Sequence, residues 1–339
     1  MAPVAGLWWS FAAKLIRIAH SFLMATVLMA IVRHDSTPPP FTLALLHPRY
    51  LFNWLGLFFL WLLVTLLPWR AQMAVGRALG RFSMKILGSR VKIARRNLAL
   101  ALPELSDEQR AAILKTNFES VGCAVFETGM AWFWPDWRMR AITRMEGTKH
   151  VDAAVAKGQG MLLLSAHFLT LELNARQFGL YRPGVGVYRP NTNPVLERAQ
   201  VVGRCRSNKY LVDRLNIKGM LRALRQGDAL WYAPDHDYGS HASVFVPFFA
   251  VQEAATITGT ATLARVKNTV TLPCFTIREQ DGYRLLIQAP IANFPIGDDH
   301  QDAITSNRII EAAIRLAPEQ YMWLHRRFKT TPKGVPYRY

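Results

Sequence analysis

At 339 residues the chain is long enough for one large domain with an appendage, or for two domains. Its 51% hydrophobic content is high for a soluble protein of this length, and a formal net charge of +18 implies an anionic partner: a nucleic acid, an anionic membrane surface, an acidic protein or a phosphorylated substrate. The three cysteines, Cys123, Cys205 and Cys274, lie far apart without a CxxC pair, which excludes a disulfide-stapled fold and fits a reducing compartment.

In chain order, Leu7–Val32 is apolar but interrupted by Lys14, Arg17 and His20. It reads as an interfacial helix, a signal-like segment or a second span. A charged, proline-rich break follows at Arg33–Pro40, so residues 1–42 are read as an extension, with Met24 and Met29 as alternative starts. Leu51–Leu67 carries no charge and only Asn53 and Thr65 as polar groups. Its length is the lower limit for a spanning helix, and Tyr50, Trp54 and Trp69 supply aromatic anchors. The competing reading is a buried or leaflet-embedded helix. Residues 43–70 are thus a membrane anchor and 71–339 the large domain. The basic run from Arg70 to Arg96 places that domain on the cytoplasmic side and would meet anionic head groups.

Ser106 with Gln109 predicts a capping box opening a helix over Ser106–Glu119. Gly122–Trp137 is rich in aromatics, read either as core or as a wall for a lipid chain. From Gly160 strands and helices alternate. Strands are expected at Met161–Leu164, Gly184–Tyr188, Ala229–Ala233, Val244–Phe248, Val270–Thr276 and Tyr283–Gln288. Helices are expected at Phe168–Phe178, Pro194–Arg206, Ile217–Gln226, Thr256–Val266 and Ala303–Leu316. The fold class is α/β, with a largely parallel central sheet flanked by helices.

Ligands of such sheets bind beyond the carboxyl ends of the strands. His167, Arg189 and Asp235 each follow an expected strand and could share one crevice. His167 and Glu172 form an H-x4-E pair. Taken alone, that pair is more often a structural histidine beside a capping glutamate. If the two meet, the carboxylate fixes the imidazole tautomer and the ring serves as general base. Arg189 could grip a phosphate or stabilise an oxyanion, with Asp235 as its salt-bridging or orienting partner. Arg204, Arg206 and Lys209 are possible substrate or carrier contacts, although each alone reads as a solvated helix face. Asp235, His236 and Asp237 resemble a metal cluster without recognisable zinc spacing, so no metal is expected. No GxSxG, GxxxxGK[ST] or GxGxxG motif occurs, which removes the main support for a serine hydrolase, a P-loop enzyme and a dinucleotide oxidoreductase. Ser165 lacks elbow glycines and reads as structural.

The segments HFLTLE, GVYRPNTNP, RSNK, WYAPDHDYG, SVFVPFFAV and APEQYMWLHRRFKTTPKGVPYRY, in that order, resemble the late (secondary) acyltransferases of lipid A biosynthesis, most of all the lauroyl- and palmitoleoyl-transferring type. The resemblance begins near Leu43 and runs to the C-terminus. It implies an O-acyltransferase of the wider glycerolipid acyltransferase group. Such an enzyme moves an acyl chain, here lauroyl, from acyl carrier protein to the hydroxyl of a 3-hydroxyacyl chain on a Kdo-lipid IV(A) acceptor. It works at the cytoplasmic face of the bacterial inner membrane, without a cofactor and without nucleic acid. His167 and Glu172 match the family's H-x4-D/E motif, and Arg189 and Asp235 match its further site positions. The alternatives are transfer to a glycerophospholipid and a membrane-tethered protein binding an anionic polymer.

Overall fold

The computed structural model describes residues 39–339. The readings of Leu7–Val32, of the alternative starts and of most of the proline-rich break lie outside the described residues. Two 3-10 turns, Leu43–Leu46 and Pro48–Tyr50, lead into four helices: α1 (Leu51–Leu66), α2 (Trp69–Ile86), α3 (Gly88–Ala101) and α4 (Asp107–Phe133). Pro68 stands at the N-cap of α2 and ends α1, because proline disfavours a helical conformation in the residue before it. The expected capping box is present: Gln109 N–H donates to Ser106 Oγ at 3.2 Å, and Ser106 N–H donates to Gln109 Oε1 at 2.8 Å.

An alternating region follows, comprising α5 (Asp136–Ala141), β1 (Thr143–Glu146), α6 (Thr148–Ala156), β2 (Gly160–Leu164), α7 (Leu171–Tyr181), β3 (Gly184–Tyr188), α8 (Pro194–Arg204), β4 (Asn208–Asp213), α9 (Ile217–Arg225) and β5 (Ala229–Tyr232). The chain continues through β6 (Ser243–Phe248), β7 (Val251–Ile257), α10 (Gly259–Ala264), β8 (Thr269–Glu279), β9 (Gly282–Ile287) and α11 (Asp299–Leu316). A last 3-10 turn, Pro318–Gln320, precedes the C-terminal segment.

Seven strands form one sheet in the order β1-β9-β8-β2-β5-β3-β4. β8, β2, β5, β3 and β4 run parallel, and β9 returns antiparallel to β8. Every residue of β2 is buried. Met161 and Leu163 pack on one face with Val151, Phe178 and Trp231. Leu162 packs on the other with Val185, Met220 and Leu263. A parallel sheet covered on both faces accounts for a strand written as a continuous apolar run rather than an alternation.

The helical half is organised on α4. A Cβ added at Gly122 would lie 1.9 Å from the Gly76 carbonyl oxygen, and one at Gly80 would lie 2.0 Å from that of Phe118. The three glycines let α2 and α4 approach backbone to backbone. α4 thus runs through the aromatic stretch to Phe133, well past the expected end at Glu119.

Three expectations are corrected. Thr256–Val266 is not one helix: β7 ends at Ile257 and α10 begins at Gly259. The strand read at Val244–Phe248 exists, but it pairs only with β7 in a separate two-stranded antiparallel sheet. The helix expected from Phe168 begins at Leu171, leaving residues 165–170 as a loop.

Candidate active site

Strands β2 and β5 are neighbours, with Leu164 opposite Tyr232 at their carboxyl ends. His167 and Asp235 each lie three residues beyond that register pair, so parallel pairing itself delivers the two side chains to one place. His167 Nδ1 lies 2.8 Å from Asp235 Oδ1. The His167 backbone N–H donates to the same carboxylate, at 3.0 Å to Oδ2 and 3.1 Å to Oδ1. The Tyr321 hydroxyl donates to Oδ2 at 2.9 Å.

The loop carrying His167 is pinned by the segment after α11. Leu169 N–H donates to the Gln320 carbonyl and Met322 N–H to the His167 carbonyl, around an isolated bridge between Phe168 and Tyr321. That segment is held in turn by α3, where Asn97 Nδ2 donates to the carbonyls of Trp323 and His325 at 2.7 and 2.6 Å.

Burial by itself would raise the Asp235 pKa. The His167 ring and N–H, together with neighbouring His236, override it and hold the carboxyl well below the usual carboxylate range. An ionised carboxylate only accepts hydrogen bonds, so Nδ1 of a neutral His167 must carry the proton. Nε2 is left with its lone pair. The His167 side chain keeps 23% of its surface exposed, whereas Asp235 keeps none. A partly exposed ring oriented by a buried carboxylate has the arrangement of a general base.

Two further imidazoles lie beneath it. His236 stacks on His167 with ring centroids 3.4 Å apart and planes 11° apart, and His325 stacks on His236 at 4.1 Å and 16°. Burial, with the neighbouring His167, pushes the His236 pKa down to about 3. Burial lowers that of His325 as well. His167, Asp235 and His236 have ligand atoms within 4.8 Å of one another. Parallel stacked rings point their in-plane lone pairs along parallel planes, a poor match to the converging directions of a tetrahedral metal site.

Glu172 does not occupy the place the H-x4-E spacing suggests. It sits in the first turn of α7, and its carboxylate is gripped by Arg204, whose Nε lies 3.1 Å from both oxygens and whose Nη2 bonds Oε1. Trp132 Nε1 donates to Oε2 at 3.1 Å. Among the described residues no hydrogen bond joins Glu172 to His167; the carboxylate at the imidazole is Asp235. Burial opposes ionisation of Glu172, but Arg204 and Trp132 lower its pKa on balance. The pair joins α7 to α8 and, through Trp132, to α4.

Arg204 is thereby engaged inside the scaffold. Arg206 donates from Nη1 to the Trp132 carbonyl at 2.7 Å, and burial pushes its pKa down to about 10. Lys209 bonds Asp228. All three basic groups expected to reach substrate or carrier have internal partners. Arg189 follows β3 at the same edge of the sheet and is exposed. It makes no ion pair with Asp235, since the whole Asp235 carboxylate faces His167 and Tyr321. Ser165 is buried and accepts a hydrogen bond from Asn174 Nδ2, a structural role.

Tyr321 and His325 were missed as site residues by sequence reasoning. They lie in the terminal QYMWLHRRF run, far along the chain from His167, and no periodicity or spacing links the two.

A model of the bacterial lipid A biosynthesis acyltransferases matches residues 39–330. The chain belongs to that family. It is 50% identical over 303 residues to the lipid A biosynthesis lauroyltransferase of Escherichia coli K12, covering 89% of this chain and 99% of that protein. It is 44% identical over 296 residues to the palmitoleoyltransferase of the same strain, covering 87% and 96%. The lipid A biosynthesis myristoyltransferase of that strain is more distant, at 27% identity over 306 residues, covering 88% and 94%. This acyltransferase is therefore an enzyme of lipid A biosynthesis, and its acceptor is a lipid A precursor.

Proposed function

We propose that this acyltransferase takes a fatty acyl chain, lauroyl by preference, from acyl carrier protein and places it on the hydroxyl of a 3-hydroxyacyl chain of a Kdo-bearing lipid IV(A) acceptor. The observation that carries the chemistry is the Asp235–His167 pair at the paired strand ends. The acceptor hydroxyl gives its proton to Nε2 of His167 as its oxygen attacks the thioester carbonyl carbon. Asp235 balances the charge that develops on the ring. The tetrahedral intermediate then expels the carrier's thiolate, which takes the proton back, leaving an ester and a free thiol. Glu172 acts at one remove, fixing Arg204 and the start of α7 behind the histidine loop. Arg189, exposed at the same edge of the sheet, meets a phosphate or Kdo carboxylate of the acceptor. No cofactor enters this scheme.

The proposed location is the cytoplasmic face of the bacterial inner membrane. The apolar helix α1 supports it, as does the basic run from Arg70 to Arg96. The lauroyl preference rests on the 50% identity to a lauroyltransferase.

The test is a competition among lauroyl-, palmitoleoyl- and myristoyl-carrier proteins for one acceptor, scored by product mass. A lauroylated product in excess is expected, with lauroyl-coenzyme A a poorer donor. Equal use of the coenzyme A and carrier thioesters would contradict the donor assignment.

A further inference from the structure

The helical stretch Pro48–Leu66, which is α1 together with the 3-10 turn before it, is apolar and long enough, by length and composition, to cross a bilayer. Its contacts point to another placement. One side of α1 is attached to the folded domain along its whole length. Asn193 Nδ2 donates to Asn53 at 3.1 Å near its start, Leu57 is buried with Val195 of α8, and at its end the Val64 carbonyl accepts from Trp134 and Arg138. On the other side Phe52, Leu55, Phe59, Leu63 and Leu66 are 38–83% exposed. Their spacing of three and four residues makes one stripe. A helix clamped along one side to an α/β domain full of polar loops and helix ends cannot carry that side through hydrocarbon.

Helix α2 carries a second stripe. Val75, Leu79, Phe82 and Ile86, spaced four, three and four, are 43–64% exposed. Its buried face is a different one, Gln72, Met73, Gly76 and Gly80. A third face holds Arg70, Arg77, Arg81 and Lys85, roughly a third of a turn from the apolar stripe at 3.6 residues per turn. Both helices dock on the same face of α4. Gly129 receives Leu60 and Val64 of α1, and Gly122, seven residues earlier, receives Gly76 and Gly80 of α2.

The charges identify the occupant. No acidic residue occurs between positions 39 and 103, so a second copy of the same face would be repelled while an anionic surface is attracted. The mutual placement of an apolar stripe and a flanking cationic stripe is that of a helix lying in a lipid–water interface. We infer that α1 and α2 together form one in-plane docking face that seats the enzyme on an anionic phospholipid leaflet, with α1 embedded rather than crossing. The inference rests on the proposed membrane location but not on the acyl-transfer chemistry.

All three native cysteines are buried, so single cysteines introduced at exposed positions of the full chain can be nitroxide-labelled selectively. Labels at Leu55→Cys, Phe59→Cys, Leu63→Cys, Val75→Cys and Phe82→Cys would be compared with Arg77→Cys by power-saturation EPR in phosphatidylethanolamine–phosphatidylglycerol vesicles. The expected result is preferential oxygen collision at the five apolar sites, at a depth that stays level along α1, and nickel-chelate collision at position 77. In phosphatidylcholine vesicles the α2 labels should become more nickel-accessible. A depth profile along α1 that peaks at position 59 and falls toward both ends would mean a spanning helix and overturn the inference. So would nickel-accessible α2 labels in anionic vesicles, or dipolar broadening without oxygen access, which would mean self-association. Loss of the acyltransferase reading would leave these spectra unchanged.

Discussion

At the scale of single residues the proposed chemistry depends on which carboxylate meets the imidazole. Asp235→Asn replaces an acceptor-only group with an amide that can present a donor to Nδ1, removing both the fixed tautomer and the balancing charge. Steady-state kinetics should show kcat reduced about 10²–10⁴-fold with little change in KM for the donor. Glu172→Gln should behave differently. It leaves the Arg204 guanidinium short of its counter-charge in a site where both side chains are only about one-fifth exposed. The loss should appear in stability, roughly 3 kcal/mol of unfolding free energy by chemical denaturation, the low end for a broken buried pair. The same variant should keep most of its turnover at a temperature where it is folded. A kcat loss matching that of Asp235→Asn in folded protein would return Glu172 to the imidazole.

The histidine stack sets a pH dependence whose sign is fixed. His236 is pushed down to about 3 in the folded chain from an ordinary value near 6.5. Its contribution is fully present above about pH 6.5 and is lost as the pH falls toward 3, because the unfolded chain binds that proton more readily. Asp235, also depressed, adds a second loss below about pH 4. Melting temperatures of His236→Asn should therefore fall less between pH 7 and pH 4.5 than those of the parent. His167 and the position of Asp235 at a strand end were legible in the sequence. The partnership was not, because H-x4-E places two residues near each other in sequence whereas parallel register brings His167 and Asp235 together from 68 positions apart.

At the scale of elements, α4 is the spine and its two devices have separate consequences. Ser106→Ala removes the side chain that accepts from Gln109 N–H and should cost about 1 kcal/mol by chemical denaturation. Gly122→Ala places a methyl group where the Gly76 carbonyl and the Gly80 backbone stand, neither of which is a flexible side chain. It should destabilise by about 3 kcal/mol or more as α2 is pushed off α4. Elements with a strong local signal were readable: the capping box, the apolar run of β2 and the helix over 303–316. β1 and β4 were not. They are the two edges of the sheet, and their sequences TRME and NKYLVD carry the charges that edge strands require and buried strands lack. The helix read at Thr256–Val266 failed for a related reason. Its first residues close an antiparallel hairpin with β6, a long-range pairing that overrides local propensity.

At the scale of the molecule, ordered motifs along nearly the whole chain announced the family, and the apolar run at Leu51–Leu67 announced the helix α1. Composition could not say whether that helix would span a bilayer or embed in one leaflet, because a uniformly apolar helix reads the same in both. Its contacts with α4 and α8 are what support the embedded reading. The central claim is that an Asp235-oriented His167 takes the proton of a lipid A precursor hydroxyl during acyl transfer. The most direct measurement is the rate at which purified His167→Ala, melting at the parent's temperature, converts a hydroxyacylated Kdo-lipid IV(A) and lauroyl-carrier protein to the acylated product, followed by mass spectrometry. The account predicts a rate lower by about 10²–10⁴-fold. Turnover close to that of the parent enzyme would contradict it.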